Sequence, residues 1–177
     1  KRDTMPNVRI ARRDEFESIA SFYDEMVDDM KHSAFDPLWD RKTHPSDEFL
    51  RGALESGRLI VCECDEELAG ALVMDHHGAV GYETAPWGVK ARDDEGSVIH
   101  VLCTLPRFQG KGIARTLLRG ALDIARANGQ RCVRLDILPD NAPARSLYES
   151  EGFVRVCKTM LHYPDGSFDA ILYECLL

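Results

Sequence analysis

The alternation of apolar and polar residues along the chain predicts an ordered series of strands and helices. Asn7-Val8-Arg9-Ile10 reads as a short strand. Behind Asp14, which is placed to cap a helix, Phe16, Ile19, Ala20, Tyr23, Val27 and Met30 recur at helical spacing. The stretch from His32 to His44, with Pro37 and Trp39, reads as a loop, and Pro45-Ser46-Asp47 opens a short second helix that stops near Gly57. Arg58–Cys64 and Leu68–Met74 are strand-length apolar runs around Asp65-Glu66-Glu67, a predicted hairpin. Tyr82–Gly96 is polar and irregular. Val98–Leu105 is almost continuously apolar, the pattern of a strand covered on both faces. Gly110–Asn128 carries a stripe of Ile113, Leu117, Leu118, Ala121, Leu122 and Ala125, and Gly129 ends it. Arg131–Leu138 alternates Val133, Leu135 and Ile137 against Arg134 and Asp136. A helix follows over Ala142–Glu151, and Phe153–Leu161 and Phe168–Leu176 close the chain as a strand pair around Pro164-Asp165-Gly166. The predicted order β-α-α-β-β-β-α-β-α-β-β is that of an α/β (α+β) protein, a mixed central sheet flanked by helices. No repeat or low-complexity linker interrupts it, so residues 1–177 are expected to form a single domain.

Composition narrows the function classes. Lysine plus arginine number 22 and aspartate plus glutamate 30, a formal net charge of −8. Nucleic-acid binding needs cationic surface to release counterions, and a polybasic membrane anchor needs the same sign, so neither partner is expected. No apolar run approaches the ~20 residues of a membrane span. The start, Lys1 to Pro6, lacks an initiator methionine and the apolar core of a secretion signal. Cys62, Cys64, Cys103, Cys132, Cys157 and Cys175 follow no disulfide spacing, and a cytoplasmic setting with reduced thiols fits them. His76-His77 with Cys62 and Cys64 has no metal-ligand spacing, and no metal is expected.

The candidate chemistry lies between Thr104 and Ala114, where a buried strand runs through a glycine-bearing turn straight into a helix. First-turn amides of a helix have no partners within it and sit at the positive end of its dipole, so such a turn is a cradle for phosphate. It is not a Walker A loop, because Gly112 follows Lys111 and Leu105 stands where the first glycine belongs. Nor is it a dinucleotide fingerprint, because Arg115 stands where the third glycine belongs.

Gln109, Gly112 and Ala114 spell Q-x-x-G-x-A, which resembles the acyl-CoA pyrophosphate loop of the GNAT superfamily of N-acetyltransferases. Further on, Asn141-x-x-Ala144-x-x-x-Tyr148-x-x-x-Gly152-Phe153 is similar to that superfamily's later motif. The two matches cover Val98–Phe153. The resemblance implies a GNAT-like fold with splayed strands at the acyl-CoA site, Val98–Leu105 and Arg131–Leu138. It implies acetyl-CoA as cosubstrate, with pantetheine along the backbone of Leu102, Cys103 and Thr104. The pyrophosphate would lie on the amides from Gly110 through Lys111, Gly112 and Ile113 to Ala114, with Gln109 helping, and Asn141 and Ala144 belong to the same cofactor site. Lys111 is equally readable as a phosphate contact or a solvated charge, Asn141 as a helix cap, and Tyr148 as core.

The reaction implied is direct attack of a primary amine of a small molecule or peptide on acetyl-CoA. Tyr148 matches the family's general acid. A phenol near ~10 is a weaker acid than a thiol near ~8.5, so Tyr148 is expected first to donate a hydrogen bond to the departing sulfur. For the base, no glutamate lies on the strand Val98–Leu105. His100 on that strand and Glu83 in the preceding loop are the candidates. Cys103 as an acyl-carrying nucleophile is disfavoured, because buried strand cysteines are mostly inert. Tyr23, Asp24, Trp39, His44, Tyr82, Glu83 and Trp87 fall in segments that line the family's acceptor pocket. The excess of acids favours a cationic acceptor such as a polyamine, aminoglycoside, lysine or N-terminal amine. The rival reading is a domain that binds acyl-CoA without turnover, and another acyl donor such as succinyl-CoA is a third. The apolar end, Ile171-Leu172-Tyr173 to Leu176-Leu177, is the candidate face for a homodimer.

Overall fold

In the computed structural model, residues 5–164 and 166–177 are described. The strands are β1 (Asn7–Ile10), β2 (Leu59–Cys64), β3 (Glu67–Asp75), β4 (Gly96–Thr104), β5 (Cys132–Ile137), β6 (Val154–Tyr163) and β7 (Gly166–Leu176). The helices are α1 (Phe16–Met30), α2 (Asp47–Glu55), α3 (Ile113–Ala127) and α4 (Ala142–Ser150). The strands form one sheet in the order β1-β2-β3-β4-β5-β7-β6. The recorded β4–β5 ladder is parallel, whereas β1–β2, β2–β3, β5–β7 and β6–β7 are antiparallel. The order of elements is the one that the hydrophobic pattern predicts.

The chain divides into two compact units. One takes the chain up to Met74 together with His100–Ala121, and the other takes Asp75–Ile99 with Leu122–Leu177. In the first unit Ile19, Tyr23, Leu50, Leu59, Leu72 and Leu117 are fully buried. Ser46 caps α2 by accepting the Phe49 amide at 3.1 Å. Asp14 does not cap α1. A 3-10 turn over Arg13–Glu15 precedes that helix, and Glu15 reaches back to the Arg12 amide at 2.6 Å while pairing with Arg9 at 2.6 Å. The β2–β3 loop is two residues, Asp65 and Glu66, both at positive φ (54° and 66°), and Glu67 already belongs to β3. That is the backbone twist of a tight hairpin. Gly120 lets α3 close on β1, since a Cβ there would lie 2.5 Å from the Val8 side chain.

In the second unit Tyr82, Val98, Leu161, Ala170 and Leu172 form a buried cluster. Leu172 belongs to that cluster, Ile171 and Tyr173 are likewise buried at 7% and 0% exposure, and Leu176 is exposed. The expected dimer face is therefore mostly interior to β7. Helix α3 begins three residues later than the Gly110 start that its apolar stripe suggests. The reason is local: Gly110 and Gly112 have φ of 80° and 73°, which no right-handed helix accommodates.

Candidate active site

The first unit holds the glycine turn. Strand β4 passes through Val101 at φ 49°, a left-handed conformation that a β-branched residue rarely adopts. The fully buried Tyr23 hydroxyl donates to the Val101 carbonyl at 3.0 Å. This contact fixes the kink, whose cost is of order 1–3 kcal/mol. Around it His100, Leu102 and Thr104 are half-buried, while Val101 and Cys103 are buried. Burial pushes the Cys103 thiol well above its ordinary value, so thiolate is scarce and a nucleophilic role is disfavoured. Thr104 Oγ1 is buried without a hydrogen-bond partner among the described residues.

Beyond β4 a 3-10 turn over Pro106–Phe108 leads into the glycines. Gln109, Gly110, Lys111 and Gly112 are exposed, Ile113 is buried and Ala114 half-buried. A Cβ at Gly110 or Gly112 would meet nothing within 4 Å, so both glycines border open space. Phe108 is buried, with Arg107 and Lys111 over its ring at 5.3 and 5.6 Å. Both cations are already engaged: Arg107 pairs with Glu25 at 2.5 Å, and Lys111 with Asp65 at 3.8 Å. Backbone amides at the start of α3 add a positive field of their own.

His100 belongs to the same unit. Phe49 meets it edge-on at 6.3 Å and meets His44 at 5.0 Å. Burial, with a smaller contribution from His100, lowers the His44 pKa from 6.5 to about 4. Between those values the unfolded chain binds a proton that the folded one does not, so acid favours unfolding. Stability is expected to fall by about 2 kcal/mol from pH 7 to pH 5 on this account. Urea unfolding at the two pH values, with His44→Gln as reference, checks it; an unchanged difference between them would remove His44 as the cause.

The second unit holds the other motif. Asn141 Oδ1 accepts the Ala144 amide at 3.1 Å, so this side chain caps α4. Tyr148 is buried in α4, edge-on to Phe153 at 5.6 Å. Glu83 is exposed and accepts the Gly81 amide at 2.9 Å; backbone hydrogen bonds hold its carboxyl below the usual range. That makes it a weaker base. Sequence reading missed a different carboxylate, Asp136. It is half-buried on β5, where the phenols of Tyr82 (2.6 Å) and Tyr163 both donate to Oδ2. Burial, and then the nearby Asp136 charge, drive the Tyr82 phenol well above its ordinary value. The only sequence signal for Asp136 was its place as a charged residue inside an alternating strand.

A seven-stranded sheet with flanking helices, and a kinked strand that runs through an open glycine turn into a helix, form the architecture in which helix-start amides hold anionic groups. The chain belongs to the acetyltransferase (GNAT) family, which it matches over residues 19–153. The mycothiol acetyltransferase of Beutenbergia cavernae is 40% identical over 81 residues, covering 46% of this chain and 27% of that protein. The N-alpha-acetyltransferase RimI of Mycobacterium tuberculosis is 40% identical over 72 residues, covering 41% of this chain and 44% of that protein. The aligned stretch thus spans less than half the length of either relative. The Salmonella typhimurium protein yncA, solved with its cofactor acetyl-CoA, superposes with a TM-score of 0.71 at 19% identity, covering 98% of this chain and 95% of that one. Among the described residues, no cluster of His, Cys, Asp or Glu could hold a metal ion, and no helix is long and apolar enough to cross a membrane.

Proposed function

We propose that the protein is an N-acetyltransferase that moves an acetyl group from acetyl-CoA directly to a primary amine of a small molecule or peptide, with residues 1–177 acting as one catalytic domain. The observation that carries this reading is the open turn at Gly110 and Gly112 at the start of α3. Two features of the first unit suit the cosubstrate. The turn leaves room at both glycines, and the orphaned Thr104 hydroxyl sits on the strand assigned to pantetheine. Leu102, Cys103 and Thr104 would hold pantetheine, and Gln109 to Ala114 the pyrophosphate. Acetyl-CoA, when bound, supplies an activated acetyl thioester.

The remaining roles fall to side chains. Tyr148 donates a hydrogen bond to the departing sulfur. His100 accepts the proton of the attacking amine, a task for which Glu83, held by its own loop, is less suited. Asp136, whose Oδ2 accepts the phenols of Tyr82 and Tyr163, binds the acceptor ammonium before it is deprotonated. Relatives named for mycothiol and for N-alpha-amines support an amine acceptor. Six free cysteines, five of them buried, support a cytoplasmic setting.

The test is incubation with acetyl-CoA and a broad amine panel, read by free thiol. Thiol release that depends on an added amine is the expected outcome. Acetyl-CoA binding without amine-dependent release would instead identify a sensor of the same fold. Competition by succinyl-CoA reads the donor preference.

A further inference from the structure

Three rings meet within the first unit. Phe49, half-buried in the first turn of α2, lies edge-on to His44 at 5.0 Å with an interplanar angle of 65°. The same ring lies edge-on to the half-buried His100 at 6.3 Å and 81°. Both separations fall in the range over which ring pairs attract through their quadrupoles. His44 is buried, and burial keeps it uncharged at neutral pH, so it backs Phe49 as a neutral ring.

Phe49 is itself firmly held. Ser46 accepts its amide at 3.1 Å. The loop that carries His44 closes on itself: the His44 amide donates to the Asp40 carbonyl at 2.7 Å, and the Asp40 amide donates to the His44 carbonyl at 3.1 Å. Arg41 ties this loop to both neighbouring helices. It pairs with Asp24 of α1 at 2.9 Å and with Asp47 of α2, and it donates to the Pro45 carbonyl at 2.5 Å. On β4, the Tyr23 hydroxyl fixes the backbone at Val101, the residue after His100. A fixed backbone still leaves the imidazole two side-chain torsions. Phe49 is placed against that ring, and it has no group that exchanges a proton, so its influence on chemistry at His100 is positional. A base must hold its nitrogen within hydrogen-bond reach of the proton it takes, and misplacement by about 1 Å can cost ~10²-fold in rate.

We propose that Phe49 is a positioning residue: backed by His44, it holds the His100 imidazole in the orientation from which it takes the proton of the attacking amine. This rests on the acetyltransferase reading and deepens it. In that step the amine nitrogen bonds to the acetyl carbon and the carbon–sulfur bond breaks. One amine proton passes to the His100 ring, and the departing sulfur is protonated in turn.

The test is a double-mutant cycle between Phe49 and His100, read by free-thiol release with an accepted amine. Phe49→Leu is expected to lower kcat about tenfold with KM for acetyl-CoA nearly unchanged. Phe49→Tyr keeps the ring and is expected to stay within about twofold of the unaltered protein. In a His100→Gln background, Phe49→Leu is expected to add little, because no base is left to aim. Imidazole NMR gives a reading that needs no turnover: Phe49→Leu removes a ring current and is expected to shift the ring resonances of His44 and His100. Equal kcat losses with and without His100, equal losses in Phe49→Leu and Phe49→Tyr, a kcat unmoved by His100→Gln, or an unshifted His100 ring overturns the proposal. Thiol release that is present but shows no coupling between the two residues is a failure of the positioning role alone. No amine-dependent release from the unaltered protein is a failure of the acetyltransferase reading, and the positioning role falls with it.

Discussion

Replacing Tyr148 with phenylalanine is expected to lower kcat by about 10²-fold while leaving the acetyl-CoA dissociation constant nearly unchanged. The substitution removes one oxygen. Tyr148 is buried, and its ring packs edge-on against Phe153, a contact that phenylalanine preserves. On the proposed role of Tyr148, the loss falls in the step in which negative charge develops on sulfur, and a hydrogen bond made only there changes kcat more than binding. A phenol cannot fully protonate a thiolate without an uphill transfer of ~1.5 pKa units, about 2 kcal/mol. On the proposed mechanism the proton balance closes when the amine gives up its own proton to His100. Steady-state kinetics with a good acceptor, together with calorimetric titration of acetyl-CoA, separate the two quantities. An unchanged kcat would remove Tyr148 from the mechanism and leave it as core.

The fold was readable because most of its elements obey a single period. Strand β5 alternates by twos, α3 carries one apolar stripe, and the two turn residues of the β2–β3 hairpin fall in a polar gap. The glycine turn was readable for a related reason: left-handed backbone at a helix start calls for glycine, and Gly110 and Gly112 supply it. The kink at Val101 broke the same rule. It is held by a hydroxyl from Tyr23, 78 residues away, and no local residue announces it. The misplaced cap of α1 has the same origin, since Glu15 is drawn back to Arg12 and Arg9 rather than following Asp14. Asp136 and Glu174 were legible as charged residues but not as a site. Their partners come from the β3–β4 segment, β5 and β6, and spacing along one strand cannot show that convergence.

Glu174→Ala is expected to be the most destabilising single change discussed, at about 3–5 kcal/mol. The carboxylate and the Arg134 guanidinium have side-chain exposures of only 8% and 15%. Removing the acid leaves a largely desolvated cation without its counter-charge, and an unpaired buried charge costs more than the pair contributed. The amides of Gly88 and Val89 lose their acceptor in the same step. Because Trp87 stacks on Arg134 and holds the Tyr82 carbonyl, the loss should spread along the loop from Tyr82 to Val89. Amide hydrogen exchange should accelerate there before it does in α1 or α2. The double substitution Glu174→Met with Arg134→Leu removes both charges and keeps apolar volume, and it is expected to recover most of the stability. Urea unfolding of the two variants decides between an electrostatic and a packing origin. If the double variant is as unstable as Glu174→Ala, the cost comes from the lost amide contacts and volume, not from the orphaned guanidinium.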